Sequence, residues 1–83
     1  MKNYFNFNNK KVLIMGGSSG FGAKIAETFN DFGSTVWITG RNINKLKKVK
    51  NRCKNKSKLH YQSIDVNDLN NLNFFLSNLK KKI

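Results

Sequence analysis

The chain has 83 residues, a length that accommodates one domain. A hydrophobic fraction of 39% with 12% aromatic residues excludes the composition of a disordered chain. The single cysteine, Cys53, excludes an internal disulfide and leaves no pair for a metal site, while a formal net charge of +12, carried by 14 lysines and two arginines, attracts polyanions only non-specifically.

Asparagine is as abundant as lysine, and both use A/T-rich codons, so the charge is a weak guide to partners. No apolar run approaches the roughly 20 residues of a membrane span, and the first eleven residues lack the uninterrupted apolar stretch of a signal peptide. The expectation is a soluble, cytoplasmic protein in a reducing setting, without a membrane partner.

In chain order, residues 11–15, "KVLIM", predict a short strand buried on both faces of a parallel sheet. Ile25, Ala26, Phe29 and Phe32 then recur at helical spacing, and Gly33 predicts the helix stop. Residues 35–39, "TVWIT", are β-branched or aromatic throughout and predict a second strand, closed by Gly40. Asn42 is placed to cap a second helix, whose apolar stripe is Ile43, Leu46, Val49 or Lys50, and Cys53 on an otherwise lysine-rich surface. Residues 59–66, "LHYQSIDV", predict a third strand, and Asn67 is placed to cap a third helix with Leu69, Leu72, Phe75 or Leu76, and Leu79 on one face. Strands alternating with helices imply an α/β fold with a three-stranded parallel sheet and right-handed crossovers.

Between the first strand and the first helix stands "MGGSSGFG", residues 15–22. Glycines at a strand-to-helix turn allow a sharp reversal and a close approach by a ligand, and the free amides at the helix start favour a phosphate. Ser18 and Ser19 add hydroxyl donors. The P-loop pattern fails, because Gly22 is followed by Ala23 rather than by lysine and a hydroxyl residue. The spacing Gly16-x-x-x-Gly20-x-Gly22 also differs from the general dinucleotide pattern Gly-x-Gly-x-x-Gly.

That spacing, with "GSTVWITGRN" at 33–42 and "IDVND" at 64–68, closely resembles the amino-terminal part of the short-chain dehydrogenase/reductase family. The three segments stand in order across nearly the whole chain. The resemblance implies a partial Rossmann fold of βαβαβα type, with residues 1–10 as an N-terminal extension and 11–83 as a truncated NAD(P)-binding domain. It places Gly16, Ser18, Ser19, Gly20, Phe21 and Gly22 around the pyrophosphate and adjoining ribose of a dinucleotide cofactor, and Asp65 and Val66 at the adenine. At the end of the second strand, where a carboxylate would bind the ribose 2′-OH of NAD, the chain has Gly40 followed by Arg41, so NADP(H) is expected rather than NAD(H).

Two departures accompany the resemblance. Position 15 is methionine where the family usually has a threonine whose hydroxyl braces the loop. The family's Asn-Ala-Gly segment, catalytic Ser and Tyr-x-x-x-Lys pair have no counterpart here, and neither Tyr4 nor Tyr61 is followed by lysine at that spacing. Hydride transfer by this chain alone is therefore not expected, and a complementary chain carrying the missing half becomes a possible partner. With the first two helices on one sheet face and only the third available for the other, an open edge is expected along the first strand.

Several alternatives stay open at this point. Arg41 can be a solvated turn residue, Asp65 can cap the third helix, and Cys53 can simply fill a helix face. The lysine-rich helix and tail can be a solvated surface or a polyanion- or nucleic-acid-binding module, and the chain can be a non-catalytic gene fragment.

Overall fold

The computed structural model describes residues 10–18, 20–65 and 67–82. Of the candidate cofactor contacts, Ser19 and Val66 lie outside the described residues, as do 1–9 of the expected extension. Three strands, β1 (Lys11–Met15), β2 (Thr35–Gly40) and β3 (Leu59–Ser63), alternate with three helices, α1 (Gly20–Asp31), α2 (Ile43–Arg52) and α3 (Leu69–Lys82). A single 3-10 turn at Lys56–Lys58 leads into β3. The strands form one parallel sheet in the order β1-β2-β3, the three-stranded sheet expected of the alternation and the partial Rossmann arrangement implied by the resemblance.

The register Val12↔Val36 and Val36↔Leu59 aligns the apolar side chains that point to one face. There Val36, Ile38 and Leu59 pack with Ala23 and Ala26 of α1, Leu46 and Val49 of α2, and Cys53. The predicted α2 stripe thus holds except at Ile43, which remains largely exposed at the first turn. Cys53 closes that helix as buried filler, and burial, with Glu27 and Asp31 nearby, pushes its thiol above its ordinary value. Gly33 stops α1 as predicted, at φ +99°, with its amide donating to Asn30 O and that of Ser34 to Phe29 O, the paired bonds of a Schellman cap.

The N-terminal end of the sheet is closed by two asparagines. Asn30 is fully buried. Its Nδ2 donates to Asn55 O at 2.9 Å and its Oδ1 accepts from Asn55 N at 2.9 Å, while Asn55 Nδ2 donates to Asn30 O at 2.8 Å. This clasp ties the end of α1 to the approach of β3.

Three expectations need correction. β1 is not buried on both faces: Leu13 and Met15 stay exposed on the face that α1 and α2 do not cover. The third strand ends at Ser63 rather than 66: Ile64 N still donates to Gly40 O, but Asp65 Oδ1 then accepts from Asn67 N and turns the chain out of the ladder. The cap of α3 is neither Asn67 nor Asp65 but Asp68, which directly precedes Leu69 and accepts from Asn71 N at 3.2 Å. On the second sheet face α3 buries Leu79, while Leu69 and Phe74 remain exposed and β1 is left as an edge strand.

Candidate functional site

The site gathers at the C-terminal ends of the strands, where β1 and β2 run side by side through Met15↔Thr39. After Met15 the chain turns at Gly16, whose φ of +81° is a conformation side chains with a Cβ rarely adopt. The amides of Gly16 and Gly17 both donate to Thr39 O at 2.9 Å, so they anchor the loop to β2 and leave the helix start to face a ligand. The hydroxyl brace absent at position 15 arrives from the neighbouring strand: Thr39 Oγ1 donates to Met15 Sδ at 3.5 Å.

Gly20, at φ +60°, opens α1. The first-turn amides of that helix, including those of Phe21 and Gly22, have no intrahelical acceptor, and no acidic residue stands in the turn to compete for an anion. Phe21 presents its ring to solvent at 83% exposure, so its backbone is the part available to a phosphate. At Gly22 an added Cβ would lie 2.8 Å from Gly16 O, which means that the helix rests directly on the loop backbone. Ser18 likewise sits over Gly40, where a Cβ would meet its side chain at 2.8 Å.

Beside the loop, between the ends of β2 and β3, lies a cleft of about 330 Å³ bordered by Gly16, Ser18, Arg41, Asn42, Lys45 and Ile64. The backbone of Arg41 is held by Ser63 Oγ, which donates to Arg41 O at 3.1 Å. Its side chain is 77% exposed and its Nη2 stands 3.7 Å from Asp65 Oδ2, a loose pair that contributes at most about 1 kcal/mol. Asn42 caps α2, its Oδ1 accepting from Asn44 N at 3.0 Å and Lys45 N at 3.2 Å.

The fold therefore brings Gly16, Ser18, Gly20, Phe21 and Gly22 into one loop, with Arg41 and Asp65 at its flank. Sequence reasoning missed Thr39, the loop's backbone anchor, and the steric role of Gly40. The signal for both is their alignment, through the parallel register, with the residues that follow β1. Elsewhere, the cations of the basic segment are partly committed within the fold: Arg52 pairs with Glu27, and the ammonium groups of Lys56 and Lys58 donate to Cys53 O and Gly33 O. Among the described residues no helix is long and apolar enough to cross a membrane.

The sequence profile of the short chain dehydrogenase family matches residues 10–83. Among curated proteins, the chain is 30% identical over 76 residues to hydroxysteroid 11-beta-dehydrogenase 1-like protein A of Xenopus laevis, covering 89% of this chain and 26% of that protein. It is 42% identical over 45 residues to a dehydrogenase/reductase SDR family protein 7-like protein of Dictyostelium discoideum, covering 54% of this chain and 14% of that protein. The chain thus spans about a quarter or less of the length of the curated relatives it matches. Among solved structures, a short chain dehydrogenase from Bacillus anthracis superposes with a TM-score of 0.81 at 30% identity, over 90% of this chain and 32% of that one. The citronellol catabolism dehydrogenase of Pseudomonas aeruginosa shares the fold, with a TM-score of 0.85 at 19% identity over 99% of this chain and 35% of that one.

Proposed function

The chain belongs to the short-chain dehydrogenase/reductase family, and from that premise we propose that it is the amino-terminal cofactor-binding part of an oxidoreductase, binding NADP(H) in preference to NAD(H). Membership implies a nicotinamide dinucleotide cofactor, and the residues present fit one. The close approach at Gly22 and the acid-free first turn of α1 suit a pyrophosphate, supported by Gly16, Ser18, Ser19, Gly20 and Phe21. Asp65 and Val66 are assigned to the adenine. When bound, the nicotinamide supplies the hydride chemistry.

The observation that carries the NADP(H) reading is Arg41 on the rim of the β2–α2 cleft, where a Rossmann domain that prefers NAD presents a carboxylate to the ribose. Binding falls to this chain and catalysis to none of its residues. The family's Tyr and Lys would come from elsewhere in the assembled protein, for which a cytoplasmic setting is proposed.

Thermal unfolding with each cofactor tests the reading. Ligand at a hundredfold excess over its Kd stabilises by about 2.7 kcal/mol, so saturating NADPH should raise Tm by about 10–20 °C and NADH by less. Arg41→Ala should abolish the difference between them. Equal shifts in the parent chain would overturn the NADP(H) preference, and no shift with either would overturn binding.

A further inference from the structure

Charge balance in the cleft poses a problem that Arg41 alone does not solve. A phosphate monoester carries about −1.5 to −2 charges at neutral pH. Arg41 brings one positive charge, part of which is already directed at Asp65, 3.7 Å away. Capture of a 2′-phosphate by that group alone would leave the phosphate under-neutralised and would draw the guanidinium from its carboxylate.

A second cation borders the same cleft. Lys45 stands in the first turn of α2, and its anchorage is fixed from two directions. Asn42 Oδ1 accepts from its amide, and the next residue, Leu46, packs so closely on the end of β2 that a Cβ at Gly40 would lie 3.3 Å from Leu46 Cδ2. Asn42 already occupies the amides of Asn44 and Lys45, so the pull on an anion at this helix end falls to side chains. The chain has four acidic residues, Glu27, Asp31, Asp65 and Asp68. Glu27 pairs with Arg52 and Asp65 with Arg41, and among the described residues no carboxylate pairs with Lys45. Lys45 thus adds an unpaired cation to the border of the cleft. Lys47 and Lys48, exposed on the same helix, do not border it.

We propose that Lys45 is a second specificity-determining residue for the cofactor, holding the 2′-phosphate jointly with Arg41. Arginine supplies the planar, directional contact and lysine the compact point charge that completes neutralisation. The inference rests on the NADP(H) reading above and goes beyond it by assigning the discrimination to a pair of residues.

The test uses two ligands that differ only by the phosphate in question, 2′,5′-ADP and 5′-AMP, titrated calorimetrically into the full chain and into Lys45→Gln, Lys45→Arg and Lys48→Gln. Lys45→Gln should weaken 2′,5′-ADP about tenfold, the effect of one charge-assisted contact, and leave 5′-AMP within about twofold. Lys45→Arg should restore most of the loss, and Lys48→Gln should change neither ligand. Far-UV circular dichroism checks that α2 is retained, as its exposed position predicts. If the parent chain prefers 2′,5′-ADP but Lys45→Gln keeps that preference, the role of Lys45 is overturned and the NADP(H) reading survives. Equal weakening of both ligands, or an equal loss in Lys48→Gln, would make Lys45 part of a diffuse basic field and overturn the pairing. A parent chain that binds both ligands equally, or neither, would overturn the reading and this inference together.

Discussion

On the sheet face covered by α1 and α2, Val36, Ile38 and Leu59 are fully buried, whereas on the opposite face Leu13 and Met15 keep 36% and 42% of their surface in solvent. The strands are the same and the register is the same. What differs is how each helix is delivered to the sheet. α1 and α2 each follow a strand through a tight connection: the glycine loop after β1 is anchored on Thr39 O of the neighbouring β2, and Asn42 caps α2 directly after β2. α3 follows a looser turn, and a cleft of about 620 Å³ bordered by Trp37, His60, Phe74 and Phe75 separates much of its length from the sheet. The chemistry of the site belongs to the well-packed side, since every candidate contact placed by the structure sits where β1 or β2 passes into its helix or where β3 ends.

The sharpest way to break this comparison is to delete apolar volume on each side. Leu46→Ala removes a fully buried side chain that also seats α2 beside the cleft, and should cost about 2–5 kcal/mol, a large part of the stability of a domain this small. Leu13→Ala, on the exposed face, should cost less than about 1 kcal/mol. Urea denaturation of the two variants reads the difference directly. Similar losses would show that the second face is as tightly packed as the first.

A smaller effect is expected at the polar closure of the packed side. Asn30→Ala leaves the half-buried amide and carbonyl of Asn55 without their side-chain partners, and should cost about 1–3 kcal/mol. Its signature is faster amide exchange at Asn55 and along the start of β3, with the glycine loop at the other end of the sheet unchanged. Loss of protection in the loop as well would mean that the two ends of the sheet unfold as one unit.

How much of this was legible in the sequence follows the same division. The apolar run of β1, the β-branched run of β2, the Gly33 stop and the Asn42 cap were all readable, because each is a local signal that the packed face reinforces. The loop spacing gave the candidate contacts for the same reason. The Asn30–Asn55 clasp was not readable, since it joins residues 25 positions apart that carry no periodic pattern. Thr39 and Gly40 acquire their roles only through the parallel register with Met15 and the loop. The methionine at position 15 suggested a missing brace, and in the structure the hydroxyl at this place comes from Thr39 of the adjacent strand, which donates to Met15 Sδ.

The turn before α3 shows where local reading fails on the second side. Asp65, Asn67 and Asp68 stand within four positions, and each has a side chain able to accept from an amide two or three residues ahead. In the structure Asp65 faces Arg41 and accepts from the Asn67 amide, and Asp68 is the group aligned with Asn71 N. Because little tertiary packing holds α3, its first turn should depend on that cap more than those of α1 or α2 depend on theirs. Asp68→Ala should therefore cost about 1 kcal/mol, felt as fraying of the first turn of α3 in hydrogen exchange, with protection in β1, β2 and α2 unchanged. Asp68→Asn, which keeps the accepting oxygen, should restore the turn. Equal fraying in both variants would assign the stabilisation to the aspartate's charge at the helix start rather than to the cap geometry. An unfrayed helix in both would show that Leu79 and its neighbours hold α3 to the sheet more firmly than the exposed faces of Leu69 and Phe74 imply.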